Sequence, residues 1–107
     1  MKDVLSGDQL LTILEALSNP YRLRIVAILY REELYVSQLS RELGISRPLL
    51  YLHLQKLEEA QLIEGRLELS PNGKAMKYYK LNSFDITLNA LLIAELTSSL
   101  NIKGNMK

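Results

Sequence analysis

The stretch VSQLSRELGISRPLLYLHLQKL, residues 36–57, decides how the chain folds. Leu39 and Leu43 are four apart, and Leu50, Leu54 and Leu57 resume helical spacing, so each half carries one apolar helix face. Gly44 separates the halves, and glycine takes the left-handed backbone that closes a first helix without steric penalty. Ile45 then plugs the corner, and Ser46 is placed to cap the second helix by accepting a backbone N–H. Ser40 is small enough for two helices to cross closely beside it. Small residue, glycine turn, buried aliphatic and capped second helix together make the pattern of a helix-turn-helix. An ordinary αα-corner shares part of that pattern. Function must therefore be read from the outer face of the second helix.

Stepping about 100° per residue from Arg47 places Tyr51 and Gln55 on its face, with Pro48 and Leu52 beside them. Leu50, His53, Leu54 and Leu57 point the other way, into the core. The outer face thus offers a guanidinium, a phenol, an amide and two apolar groups. Arginine reads guanine bidentately, glutamine reads adenine, and apolar groups touch thymine methyls, so the set suits a major groove. Solvated surface residues are the plain alternative, but Tyr51 and Leu52 are costly to expose without a purpose. Leu49 borders the helix, either packing under a neighbouring element or filling a hydrophobic edge. His53 is the only histidine, with no cysteine or second histidine to join it, and reads as a satisfied core residue.

Upstream, residues 8–17 form an amphipathic helix with Leu10, Leu14 and Leu17 on one stripe and Asp8 near its positive end. Ser18-Asn19-Pro20 stops it and starts another over residues 21–30, with proline at the first helical position. Leu23, Ile25, Val26, Ile28 and Leu29 give that helix a broad apolar face, so it should be central to the core. Arg22 and Arg24 flank it, to reach phosphates or to pair with Glu32 and Glu33.

Downstream the period changes. From Ile63 to Leu69, apolar or glycine positions alternate with charged ones, as in a half-buried strand. Ser70-Pro71-Asn72-Gly73 is turn chemistry, and residues 75–81 form the returning strand. A hairpin directly after a helix-turn-helix is a wing, spanning about 62–82 after a helix-turn-helix at about 36–59. Lys74 and Lys77, with Arg66 on the facing strand, put positive charge where a wing meets a nucleic-acid backbone or minor groove; Glu64 and Glu68 dilute it. A last helix over about 84–100 has one stripe of Leu88, Leu92 and Leu96 and another of Ile86, Ala90 and Ile93. One stripe can pack on the parent domain; the other calls for a second chain. The polar tail, residues 101–107, should fray.

Composition narrows the field. One domain fills 107 residues, 48% hydrophobic and 23% charged, with net charge +1, so any positive surface must be local. No cysteine means no disulfide, thiolate metal site or redox switch. The start of the chain has no apolar core of a signal peptide, and the apolar run at 88–94 is too short to span a bilayer, so a soluble cytoplasmic protein is expected. No nucleophile–base pair, metal cluster or phosphate loop is visible, which argues against an enzyme and against a cofactor.

The chain resembles the ArsR-type family of winged helix-turn-helix transcriptional repressors over residues 16–81. The likeness rests on ALSNPYRLRIVAIL, on YVSQLSRELGISRPLLYLHLQKLEEAQLI and on KYYKL, in that order and spacing. It implies a mainly α fold with a small β-hairpin, and a homodimer built from the first and last helices. Each subunit would place one recognition helix in a major groove of double-stranded DNA, at an inverted-repeat operator. DNA contacts would fall to Ser46, Arg47, Pro48, Tyr51, Leu52, Gln55, Arg66, Lys74 and Lys77, and the dimer seam to Leu10, Leu14, Leu88, Leu92 and Leu96. Family members that sense metal use a cysteine where this chain has Tyr35 in Glu33-Leu34-Tyr35-Val36, or paired histidines on the last helix, where it has none. Metal sensing therefore does not transfer. Gln61 stands where the family usually has glycine after the recognition helix. A different class of function, a protein-interaction module, would use Leu49 and Leu52 as its exposed anchors.

Overall fold

The computed structural model of the chain describes residues 5–101. Five helices and three strands run in the order α1 (Gly7–Leu17), α2 (Pro20–Arg31), β1 (Leu34–Tyr35), α3 (Val36–Leu43), α4 (Arg47–Glu59), β2 (Ile63–Leu69), β3 (Ala75–Leu81) and α5 (Ala90–Leu96), ending in a 3₁₀ turn, Thr97–Ser99. Each helix start has a local cause. Ser6 and Gln9 cap α1 reciprocally, Ser6 Oγ accepting from Gln9 N at 3.0 Å and Gln9 Oε1 from Ser6 N at 2.8 Å. Asn19 Oδ1 accepts from the backbone of Tyr21 and Arg22, with Pro20 at the first helical position, so α2 begins one residue ahead of the expected 21.

The corner behaves as its sequence says. Gly44 sits at φ 67° and returns its N–H to Ser40 O at 2.9 Å. Ser40 does more than leave room, since its hydroxyl donates to Ile45 O at 2.6 Å and ties the turn to α3. Ser46 Oγ accepts from Leu49 N at the head of α4. Past α4, Gln61 carries a left-handed backbone, φ 62°, as the chain reverses into β2.

The expected hairpin is present with the expected strands, but it is part of a three-stranded antiparallel sheet of order β1-β3-β2. Leu34 pairs with Tyr79 and Tyr35 with Tyr78, while β2 and β3 run in register from Ile63 opposite Leu81 to Leu69 opposite Ala75. The base of the wing is anchored by buried Leu34, Ile63 and Tyr79. Beyond it the half-buried expectation fails: the hairpin extends past the helices, leaving Leu67 and Leu69 exposed.

Ile25, Leu39, Leu50, Leu54, Leu57, Leu62 and Ile63 are the largest fully buried side chains, so the core lies where α2, α3 and α4 meet the sheet. Two helix faces differ from the sequence reading. On α1 the buried positions are Leu10, Ile13 and Ala16, with Leu14 turned outward; on α2, Leu23 is exposed while Ile25, Ile28 and Leu29 are buried.

The last helix is the largest correction. Residues 84–88 are not helical; Phe84 and Ile86, two apart, pack on the core from irregular chain. Helix α5 starts only where Asn89 Oδ1 can accept from Leu92 N at 2.8 Å. Leu88 therefore precedes the helix whose stripe it was expected to share. Of the tail expected to fray, residues 102–107 lie outside the described residues.

Candidate nucleic-acid interface

Helix α4 is divided lengthwise between core and solvent. Leu50, Leu54 and Leu57 are fully buried and His53 is 8% exposed. Ser46, Arg47, Pro48, Tyr51, Leu52 and Gln55 are all exposed, as the helical projection required. Arg47 opens the helix next to the corner, and one cleft beside it is lined by Arg47, Tyr51, Lys74 and Lys77 together with Tyr35 and Met76. Helix α4 and the hairpin thus set Arg47 and Tyr51 beside Lys74 and Lys77 along a single concave surface. Gln55 lies a turn further along, hydrogen bonded to Glu59.

Arg66 is not part of that cluster. Strand alternation puts Arg66 and its cross-strand neighbour Tyr78 on the face opposite Lys77 and Tyr79. There its Nε bonds Glu68 at 2.9 Å and its Nη2 bonds Glu33 at 3.3 Å, with the guanidinium 4.9 Å from the centre of the Tyr78 ring. The hydrogen bond to Glu68, with that to Glu33, holds the Arg66 proton more tightly than usual. Lys77 instead lies over Tyr79, its Nζ 5.7 Å from the ring centre. Burial pushes the Tyr79 phenol up to about 12, with Glu58 and Tyr51 adding to the rise, so it stays neutral beneath the interface.

Among the described residues, neither Arg22 nor Arg24 pairs with Glu32 or Glu33. Arg24 Nη2 donates to Glu42 O at 3.5 Å, joining α2 to α3. Arg22 turns to the end of α1 and to His53, with Nε donating to Ala16 O at 2.6 Å and Nη1 at 3.0 Å from His53 Nδ1. Sequence alone could not have found this contact, because nothing in it places the end of α1 beside position 53.

The residues assigned to a dimer seam divide similarly. Leu10 is 5% exposed and already used within the chain, lining an apolar pocket with Leu11, Leu14, Ile93, Leu96 and Leu100. The C-terminal turn closes on α1 there: Gly7 N donates to Ser99 Oγ at 2.6 Å, and a Cβ at Gly7 would lie on the Leu96 carbonyl oxygen. Leu92 and Leu96 are partly buried, while Leu14, Leu88, Leu91 and Ile93 remain exposed.

Residues 17–66, the span holding α2, α3 and α4, match a helix-turn-helix domain family. The chain is 40% identical to the uncharacterised helix-turn-helix-type transcriptional regulator MJ0229 of Methanocaldococcus jannaschii over 82 residues, 77% of this chain and 85% of that one. Among solved structures it resembles HlyU of Vibrio cholerae at TM-score 0.63 and 27% identity, covering 86% of this chain and 88% of HlyU. It also resembles the homodimeric winged helix-turn-helix DNA-binding domain Mb0332 of Mycobacterium bovis at TM-score 0.64 and 25% identity, covering 85% of this chain and 73% of that one. The chain belongs to the ArsR-type winged helix-turn-helix transcriptional regulators. Its α4 is therefore the recognition helix and β2–β3 the wing. Among the described residues, no helix is long and apolar enough to cross a membrane.

Proposed function

We propose that this regulator is a homodimer that binds double-stranded DNA at an inverted-repeat operator and represses by occupying a promoter, without sensing a metal. The observation that carries the reading is the division of α4: one face is sealed into the core, while Arg47, Tyr51, Leu52 and Gln55 stand exposed beside Lys74 and Lys77 of the wing. An arginine and a glutamine can read guanine and adenine edges, and Leu52 can meet thymine methyls. Lysines at the wing neutralise phosphates and displace counterions. Arg66, tied to two carboxylates on the other face, takes no part in this contact.

The dimer reading rests on the exposed leucines of α1 and the C-terminal segment, since a two-fold pair can cover the same patch with itself. The homodimeric state of the Mycobacterium bovis relative supports it. With one histidine and no cysteine, a subunit cannot assemble a tetrahedral set of nitrogen or sulfur ligands. Selection of bound duplexes from a random library, followed by affinity measurement over a salt series, tests the reading. Enrichment with a steep fall in affinity as salt rises is expected; no binding to any duplex at low salt would favour a protein-interaction module using Leu49 and Leu52.

A further inference from the structure

Arg22 stands in the first turn of α2, where its planar guanidinium meets two other helices at once. Its Nε donates to Ala16 O at 2.6 Å and its Nη2 to Glu15 O at 3.4 Å, both carbonyls of the last turn of α1. A cation is well placed at that negative helix end. The remaining donor, Nη1, lies 3.0 Å from Nδ1 of His53 on α4. A guanidinium only donates, so Nδ1 must accept, and the imidazole is neutral with its proton on Nε2. The ring of Tyr21 stacks on it at 5.6 Å between centroids and 28° between planes. His53 occupies the same turn of α4 as Tyr51, Leu52 and Gln55, on the opposite face.

We propose that Arg22 is a positioning residue for the DNA-reading face: it latches α4 to the end of α1 through neutral His53, and protonation of His53 opens the latch and weakens duplex binding at acid pH. The inference rests on the DNA-binding function proposed above. A proton on Nδ1 would replace the acceptor with a donor and set two cations against each other, so the Arg22 contact cannot survive it. α1, α2, α3 and β2 pack on α4. From α2 the groups at His53 are Arg22 and the Tyr21 ring, and from α1 they are the two carbonyls reached through Arg22. The carboxylates of Asp8, Glu15, Glu42 and Glu64 and the guanidinium of Arg41 belong to exposed residues. Burial, then the charge of Arg22, holds the His53 pKa below its usual value. Because the chain has one histidine and no cysteine, His53 is the one side chain whose ordinary pKa lies between pH 5 and 8.

The test uses the full chain and a fluorescent duplex selected from random sequence with the wild type at pH 7.0. Anisotropy at fixed ionic strength should show affinity falling by more than about twofold between pH 7.0 and 5.0, as expected when binding requires one group to stay unprotonated. His53→Gln keeps an acceptor and cannot titrate, so its affinity should stay within about twofold over that range. Imidazole NMR supplies a readout that a merely structural role would not move: Arg22→Ala should shift the His53 titration upward toward its ordinary value. Affinity of the wild type that stays flat from pH 7.0 to 5.0 would overturn the latch. An equal fall in His53→Gln, or an unmoved His53 titration in Arg22→Ala, would do the same. Failure of the selection to return any duplex would remove the DNA-binding function itself, and the latch with it.

Discussion

Arg47 and Gln61 bound the recognition helix, and each shows what one side chain contributes. Arg47 is exposed at the head of α4 and lines the cleft shared with the wing lysines. Arg47→Ala should weaken binding to the selected duplex by about 1–3 kcal/mol and relax one base position. An equal loss on unrelated duplexes would make Arg47 a phosphate contact instead. Gln61 holds φ 62°, which costs a residue with a Cβ about 1–2 kcal/mol relative to ordinary backbone. Glycine removes that strain but has more freedom to lose on folding, so Gln61→Gly should raise unfolding free energy by a net of about 0.5–1 kcal/mol, measured by urea titration. His53 gives stability a pH dependence. Its folded pKa lies below the unfolded value near 6.5, so the unfolded chain binds the proton more readily. Its contribution is complete above about pH 6.5 and is lost as pH falls from there through the folded pKa. Melting temperature should drop over that window in the wild type, and less in His53→Gln.

Among the elements, those whose causes are local were legible in the sequence. Gly44, Ser46, Asn19 and Pro20 act within a few residues of themselves, and the helix bounds and the corner fell where those residues put them. The strands β2 and β3 were also where alternation placed them, because a period of two reports the strand whether or not its far end is covered. Burial was not local, and Leu67 and Leu69 alternate correctly while lying outside the core. The last helix failed because leucines four apart ran through Asn89, whose cap restarts the chain, and because Phe84 and Ile86 answer to a core that only the assembled fold creates. The outer face of α4 was legible from helical projection; the division of the wing's charges between two faces depended on the register that sets Arg66 opposite Tyr78. That division is testable. Lys74→Gln and Lys77→Gln should each reduce the salt-dependence slope of duplex binding by about 1, while Arg66→Gln should leave it unchanged.

At the scale of the whole molecule, the apolar surface of α1 and the C-terminal segment is what a single chain leaves unburied. Leu88 and Leu91 are 52% and 65% exposed, so replacing either with glutamate removes nothing from the chain's own core. Leu88→Glu and Leu91→Glu should therefore give folded monomers by light scattering, whereas Leu10→Glu should unfold the chain, because Leu10 is buried without any partner. Titration with zinc should leave duplex affinity unchanged at micromolar metal, as expected of a chain with one histidine and no cysteine. A two-fold dimer sets its recognition helices about 34 Å apart, one turn of the double helix, so sequence preference must carry the symmetry of the protein. Sequencing the duplexes that the wild-type chain selects from a random library decides whether the regulator is a two-fold reader of DNA. An inverted repeat with half-sites about 10 base pairs apart is expected, with Arg47→Ala losing preference at the same position of both halves. Selected duplexes without two-fold symmetry, or no enrichment at all, would contradict it.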